Sequence, residues 1–447
     1  MKLIYEIFII TTLFLAICLI YSGQQRIPVN NGKGIDGAFY YNMAAQFNQG
    51  INPVVERMPY IKRVGTPFLV SIYSKISGTD LLKSSLFVNL TAIFITVILL
   101  SFWLKIFIEV FWIRLLLCFV FMMTWHVPLR FTIYYPMLSD AWAAVWFMGG
   151  LLLIHYIRKS SDDNSKTKYL YLLAFSFITA IGSLFRETNA VLAIVVFLII
   201  NPFKNLGISS KNMTISYLFQ TIKKIVNLYS LKPNLILFLP AIMVILINLI
   251  ATNFIEIKPH DYSYIRAVFY WFYKKSLPEF LLAIFISYGP LILLIPFFFR
   301  QYKLFLFERQ EMPTILILAL FFSLTGGSNT ERVFFMFSFP VIFVLIGLSI
   351  KDIFNSSQRW WLYILLGLQT IACRFYWSIP VLSVEKKFFP FFSLIGSDFS
   401  DSYLYSNYGG TILNSVLLFQ YIFLLIITWY ILHNKVNFRF LWRKKNI

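Results

Sequence analysis

The chain has 447 residues, of which 59% are hydrophobic and only 13% are charged, and its formal net charge is +20. Soluble domains carry roughly 25% charged residues, so this composition excludes a soluble globular protein and predicts an all-α integral membrane protein. A basic excess in a soluble chain would suggest nucleic acid. Here the Lys and Arg residues lie mostly in short loops between apolar runs, where membrane orientation and anionic membrane lipids explain them, so we expect no nucleic-acid partner.

The apolar runs predict about twelve transmembrane helices in a single polytopic domain over residues 1–447. The first run, from Ile4 to Tyr21, follows Lys2 and lacks a small-residue cleavage site, so we interpret it as a retained span. The later runs are Leu86–Leu104, Ile113–Trp125, Leu138–Ile157, Leu170–Phe185, Asn189–Ile200, Leu235–Ala251, Phe280–Phe299, Thr314–Leu324, Val333–Ile350, Trp361–Trp377 and Leu413–Leu432.

Two basic segments without acidic residues set the predicted orientation. They are the loop over residues 204–233 and the tail over residues 433–447. The positive-inside rule places both in the cytoplasm, and an even number of spans then places both termini there. The long loop over residues 22–84 becomes extracytoplasmic, in what we expect to be the inner membrane of a bacterium.

The polar stretch from Ile35 to Leu69 in this first loop carries the clearest functional pattern. Four of its residues share one helix face: Asp36, Tyr40, Met43 and Phe47. This spacing predicts an amphipathic helix that lies along the membrane surface. A second surface or re-entrant helix is predicted over VGTPFLVSIYSKIS. Because Asp36 lies next to Gly34 and Gly37, it is either a functional carboxylate or the cap of the first helix.

Basic residues follow in the same loop, at Arg57, Lys62 and Arg63. They would bind either a substrate phosphate or the phosphates of membrane lipids.

Other ionisable residues near span ends fall on the same outer face under this topology. They include Asp140, Arg186, Glu187, Glu331, Arg332, Arg130 and, within KPHDYSYIRAVFYWFYKK, His260. Charges at membrane depth are costly and are usually paired or functional, so their convergence predicts a site at the outer membrane boundary. Local alternatives exist: Asp140 could cap the span that it begins, and Arg186 with Glu187 could form an ion pair within a turn.

Several classes of protein lack support in the sequence. No phosphate-binding loop, GxGxxG or HExxH pattern is present, which argues against a nucleotide-driven pump or a zinc protease. The three cysteines, Cys18, Cys118 and Cys373, fall within apolar runs and have no spacing typical of disulfides or metal sites.

Four segments, the first of them in two parts within the first loop, together resemble a known superfamily. IDGAFYYNMAA followed by RMPYIKRVGTPFL, then YYPMLSDAWAAVWF, LFRETNAVL and ERVFFMFSFP, resemble elements of bacterial polytopic glycosyltransferases of the C superfamily, abbreviated GT-C. The resemblance is best over the first two hundred residues. It implies a GT-C-like fold and an enzyme that uses a polyprenyl-phosphate-linked sugar as donor and a glycan, lipid or protein as acceptor.

The resemblance also implies roles for individual residues. Asp36 matches the catalytic base, Asp140 matches a supporting acid, and Arg63 and Arg186 match basic positions near the donor phosphate. The remaining candidate substrate-binding residues are Tyr40, Arg57, Lys62, Glu187, His260 and Arg332. The first loop carries DG and not a pair of acids, so no cofactor is assigned, no metal ligand is named, and a divalent metal stays an open alternative.

The chemistry also fits without the resemblance. Glycosyl transfer needs a carboxylate to accept the hydroxyl proton and cations to stabilise the departing phosphate. Two other classes stay open. A lipid-linked oligosaccharide polymerase or ligase would use similar outer arginines, and a flippase or transporter would need a continuous polar path across the spans.

The predicted orientation can be tested by thiol labelling in a cysteine-free background. We expect Asp36→Cys to react with a membrane-impermeant maleimide in cells whose inner membrane is intact. Lys444→Cys should react only after that membrane is permeabilised, because the basic tail is predicted to be cytoplasmic. Labelling of both positions from one side would contradict the orientation.

Overall fold

A computed structural model describes residues 2–24, 26–55, 60–124, 128–160, 165–200, 238–257, 263–275, 277–326, 330–354, 359–373 and 410–434. Most residues in these ranges are helical, and the strands among them are one pair of two residues each. Within these ranges, five helices are long and apolar enough to cross a membrane, and the number is six if a pair of helices joined at a bend counts as one span. The predicted all-α membrane protein is therefore confirmed, and the figure of twelve spans stays a prediction.

The helices before the basic loop are α1 (Lys2–Tyr21), α2 (Ile35–Asn48), α3 (Gly65–Ser77), α4 (Leu81–Lys105), α5 (Phe111–Met123), α6 (Pro128–Tyr134), α7 (Asp140–Lys159), α8 (Ser165–Phe185) and α9 (Val191–Ile200). Those after it are α10 (Leu239–Thr252), α11 (Tyr264–Lys274), α12 (Leu277–Tyr288), α13 (Leu294–Phe297), α14 (Phe299–Glu308), α15 (Glu311–Thr325), α16 (Thr330–Phe354), α17 (Arg359–Ala372) and α18 (Gly410–Asn434). The strands are β1 (Val54–Val55) and β2 (Glu256–Ile257), which pair in parallel.

One predicted span is not a continuous helix. The run Phe280–Phe299 breaks after Tyr288, because Gly289 takes a positive φ of 62° and begins a short 3-10 helix. The Gln369 side chain stabilises the break by donating to the Tyr288 carbonyl (2.9 Å) and accepting from Leu291 N–H (3.1 Å). Backbone groups freed inside a membrane protein need such partners.

Helix α16 is the centre of the bundle. In its most apolar 18-residue stretch 94% of the residues are buried, compared with 17% for the corresponding stretch of α1. It packs against α15 and α12, and Trp103 of α4 donates its indole N–H to the carbonyl of Pro340 (2.9 Å). A helix that is apolar on every side is stable only when surrounded in this way or by lipid.

Ionic groups collect at the two ends of the bundle. Helix α7 defines both ends, because Asp140 is its first residue and Arg158 lies in its last turn. Arg158 pairs with the buried Glu311 (2.8 Å). Twenty helical residues span about 30 Å, so this pair lies a membrane thickness away from Asp140.

The first loop forms a packed layer over the Asp140 end. Its own small core contains Tyr40 and Met43 of α2 together with residues from the α6–α7 connection. This face of α2 is therefore buried against protein. The amphipathic pattern predicted that it would lie on the membrane surface, and that prediction is wrong. Helix α3 does expose an apolar stripe, at Phe68, Ile72 and Ile76.

The contact between α3 and the end of α8 generates a stability prediction. A Cβ atom on Gly65 would lie 2.8 Å from the Phe185 ring, which is closer than carbon atoms approach. We expect Gly65→Ala to destabilise the detergent-solubilised protein by about 1–3 kcal/mol, measured as a lower melting temperature. The matched control is Gly367→Ala in α17, where nothing lies within 4 Å and alanine favours the helix. Equal melting of Gly65→Ala and wild type would contradict this packing.

Candidate active site

Asp36 is the second residue of α2 and is held by a tyrosine of the same loop. The Tyr60 hydroxyl donates to Asp36 Oδ1 at 2.7 Å. The Tyr60 ring stacks on Phe39 and meets Tyr40 edge-on, with centroids 4.7 and 5.4 Å apart. The capping alternative for Asp36 is wrong, because Gly34 occupies the N-cap position and no side chain caps this helix.

Two glycines allow the start of α2 to lie close to the Tyr135 side chain. Gly34 has a φ of +72°, and a Cβ atom there would lie 2.2 Å from the Tyr135 ring. The Gly37 N–H donates to the Tyr135 hydroxyl at 2.8 Å. The DG pattern of the first loop therefore lets Tyr135 pack directly against the start of α2.

Arg63 and Glu187 form the second component of the site. The guanidinium donates to both carboxylate oxygens, from Nε at 2.8 Å and from Nη2 at 2.6 Å, and its Nη1 donates to the Tyr40 hydroxyl at 3.2 Å. Burial alone would raise the pKa of Glu187, but the Arg63 charge outweighs burial and lowers that pKa to about 2. Arg63 therefore has all three nitrogens engaged within the protein.

Asp140 forms the third component, between two arginines. It contacts Arg186 Nη1 closely, and its other oxygen lies 3.4 Å from Arg332 Nη1. The chain before it is fixed by Asn89 of α4, which donates to the carbonyls of Pro136 (2.7 Å) and Leu138 (2.9 Å).

Two local interpretations of these charges are wrong. Ser139 holds the N-cap position of α7, and no side-chain cap is formed there, so Asp140 serves as an ion-pair partner. Arg186 and Glu187 do not pair with each other in their turn. Arg186 reaches Asp140, and Glu187 reaches Arg63.

Tyr40 joins these components. Its hydroxyl accepts from Arg63, and it lies 3.4 Å from the Ser139 hydroxyl, next to Asp140. We call the following residues the outer charged cluster, after the face on which the sequence predicts them: Asp36, Tyr40, Tyr60, Arg63, Asp140, Arg186, Glu187 and Arg332.

Positive charge is in excess at the Asp140 end of the cluster, because Arg186 and Arg332 share one carboxylate there. Burial lowers the pKa of the Arg186 guanidinium, and repulsion from Arg63 and Arg332 lowers it further, whereas the nearby Glu187 carboxylate raises it. Cations gathered in a water-poor site gain from an added anion. The Asp140 end of the cluster is therefore suited to bind a phosphate.

A narrow cavity begins at this cluster. Asp140 and Arg332 lie at its polar end, and its walls are aromatic or apolar, including Phe131, Phe335 and Phe339. Its free volume is about 40 Å³, which is room for two or three water molecules.

The structure brings together most of the residues that the sequence predicted for the site. Asp36, Tyr40, Arg63, Asp140, Arg186, Glu187 and Arg332 all belong to the cluster. Lys62 ends the 3-10 helix that precedes Arg63. Arg57 and His260 lie outside the described residues.

Sequence reasoning missed two tyrosines, Tyr60 and Tyr135. Tyr60 lies three residues before Arg63 in the segment RMPYIKRVGTPFL. Its place in this segment was the only feature of the sequence that indicated a position near the site. Among the described residues, no group of three or more His, Cys, Asp or Glu side chains is arranged to hold a metal ion.

Comparison with known protein families, curated proteins and solved structures gives no match for this chain.

The Arg63–Glu187 pair yields a testable stability effect. We expect Glu187→Gln to destabilise the protein by about 1–3 kcal/mol at neutral pH, because it leaves a mostly buried guanidinium without its anion. A glutamate whose pKa is lowered stabilises the fold above its ordinary pKa of about 4.3, and loses that contribution as the pH falls toward 2. The melting difference between the variant and wild type should therefore shrink from pH 7 to pH 3.

The control for this prediction is Glu109→Gln, at an exposed residue between α4 and α5. An equal and pH-independent shift for both variants would contradict the assignment.

Proposed function

We propose that this chain is a GT-C-type membrane glycosyltransferase, which moves a sugar from a polyprenyl-phosphate donor to an acceptor hydroxyl. One observation carries the proposal. The four sequence segments that resemble GT-C elements are far apart in the chain, yet each contributes residues to the outer charged cluster. The proposal includes about twelve spans, cytoplasmic termini, and a site on the outer face of a bacterial inner membrane, in cell-envelope glycan or glycolipid assembly.

Asp36 is the proposed base. Its Oδ1 accepts from Tyr60, which fixes the carboxylate and leaves Oδ2 to take the proton of the acceptor hydroxyl. The acceptor oxygen then bonds to the anomeric carbon as the bond from that carbon to the phosphate oxygen breaks. The electron pair leaves with polyprenyl phosphate, and attack opposite the leaving group inverts the anomeric centre.

Arg332 is the proposed contact for the donor phosphate. It faces the narrow cavity and its ion pair with Asp140 is long, at 3.4 Å, whereas Arg63 is fully engaged by Glu187 and Tyr40. A guanidinium can bind phosphate in bidentate fashion and stabilise the charge that develops on it. Asp140 and Arg63 then act as positioning residues.

The shape of the narrow cavity supports the donor class. Asp140 and Arg332 lie at one end, and Phe335 and Phe339 follow Arg332 by about one and two turns of α16, an order that suits a phosphate that continues into a hydrocarbon chain. A sugar phosphate is far larger than about 40 Å³, so donor binding must widen the cavity.

The position of the narrow cavity also helps to distinguish a transferase from the alternative functions, a flippase or transporter and a polymerase or ligase. The lining of the narrow cavity extends only about two helical turns from the cluster, to Ala144 of α7 and Phe339 of α16, and so covers only part of the length of the spans. This favours an enzyme over a flippase or transporter. A polymerase or ligase would share the carrier and the outer arginines, and it differs in taking an oligosaccharide as the donor.

The role of Asp36 is tested by Asp36→Asn. Asparagine keeps the size and accepts from Tyr60 but cannot take a proton, so turnover should fall roughly 10²–10⁴-fold with donor affinity little changed. The matched control is Asp80→Asn, which alters the exposed N-cap of α4, where Asn serves about as well as Asp. Wild-type turnover in Asp36→Asn would exclude Asp36 as the base.

Arg332→Ala should behave differently. Removal of the phosphate contact should weaken apparent donor affinity at least about tenfold, and turnover should fall as well if the contact strengthens in the transition state. Arg266→Ala, at an exposed arginine of α11, is the control. An unchanged donor affinity in Arg332→Ala would place the phosphate elsewhere.

A further inference from the structure

A second cavity lies on the side of α2 that faces the two short strands. It is open to the surface and has a volume of about 520 Å³, within the range of roughly 300–1,000 Å³ found for small-molecule sites. Its lining comprises Phe39, Asn42, Met43, Ala45, Gln46, Val54, Val55 and Glu256. We call it the strand-side cleft.

The chemistry of the strand-side cleft favours a neutral, hydroxyl-rich ligand. Asn42 and Gln46 lie one helical turn apart, and amides both donate and accept hydrogen bonds. Glu256 adds an acceptor, and Phe39 adds an aromatic ring that can pack against C–H bonds. Gln46 accepts from Val54 N–H at 3.0 Å, which orients its NH₂ group to donate elsewhere.

Charge argues against the sugar-phosphate donor at this position. No Arg or Lys is among the described residues that line the strand-side cleft, and Glu256 would repel a phosphate. An extended lipid chain is also disfavoured, because Asn42 and Glu256 are exposed and polar. The donor and the occupant of this cleft therefore need different sites.

The position of the strand-side cleft relative to Asp36 indicates which substrate the cleft binds. With 3.6 residues per turn, Phe39 lies about 60° to one side of Asp36 and Tyr40 about 40° to the other. Phe39 faces the strand-side cleft, and Tyr40 leads to Arg63 and Ser139. Asp36 thus lies between the cleft and the cations of the outer charged cluster.

We infer that the strand-side cleft binds the acceptor as a carbohydrate, with a pyranose ring packed on Phe39 and its hydroxyls bonded to Asn42, Gln46 and Glu256. This inference rests on the proposed function, because the acceptor role follows from Asp36 as the base. It narrows the acceptor from glycan, lipid or protein to a glycan or the sugar part of a glycolipid. The Phe39–Tyr60 stack links the bound ring to the hydrogen bond that holds Asp36.

Binding can be measured without turnover. The probes are methyl pyranosides of glucose, galactose, mannose and N-acetylglucosamine and their disaccharides, tested by saturation-transfer NMR on the full chain in detergent. At least one probe should bind wild type. Asn42→Ala and Phe39→Leu should each weaken that binding about tenfold, as loss of one ligand contact does. The matched controls are Asn253→Ala and Phe254→Leu, at exposed residues beyond α10, which should bind as wild type does.

A second readout separates this inference from the proposed function. Release of polyprenyl phosphate from donors is measured on the same preparations. Donor turnover without pyranoside binding, or binding that both cleft variants retain, would overturn the carbohydrate site and leave the transferase proposal standing. Pyranoside binding that the cleft variants lose, without turnover of any donor, would support the site and count against the transferase.

Discussion

The cluster depends on Asp140, whose single negative charge lies between Arg186 and Arg332 at the start of α7. Two guanidiniums cannot stay buried beside each other without an anion, since their repulsion is strong where water is scarce. Asp140 supplies that anion and in doing so ties α7 to the end of α8 and the start of α16. The Glu187–Arg63 pair then ties the first loop to the same point.

This arrangement makes the first loop part of the candidate site. Loops over a membrane protein tend to be mobile unless their backbone and side chains find partners. Here Tyr135 packs on Gly34 and Gly37, and Phe185 packs on Gly65, so the loop meets the spans through two rings set against glycines. The consequence is that Asp36 is held at a fixed place, which the proposed role of catalytic base requires.

The sequence predicted the membrane class and most members of the cluster, for a physical reason. Charges at the ends of apolar helices are costly unless they meet opposite charges, so Asp140, Arg186 and Arg332 had to find partners near one boundary. The identity of those partners depends on how distant spans pack, which no local pattern records. Arg186 and Glu187 show this well. The backbone at Arg186 is extended (φ −157°), so the two neighbouring side chains point to different partners.

Other differences between the predicted and the observed structure arise because the sequence indicates some features clearly and others not at all. The break at Gly289 follows from a Gly-Pro pair that is visible in the sequence. The Tyr60 hydrogen bond to Asp36 could not be predicted, since it joins residues 24 apart through an irregular loop. The face of α2 was predicted to meet lipid because amphipathic periodicity does not distinguish lipid from a second layer of protein.

The central claim is that this cluster transfers a sugar from a lipid phosphate, and one measurement tests it most directly. Purified wild-type protein in proteoliposomes is incubated with a panel of polyprenyl-phosphate-linked sugars, and the released polyprenyl phosphate is quantified. The account predicts release from at least one donor, with an inverted anomeric centre in the sugar product. Absence of release from every donor, in protein whose melting shows that it is folded, would contradict the account.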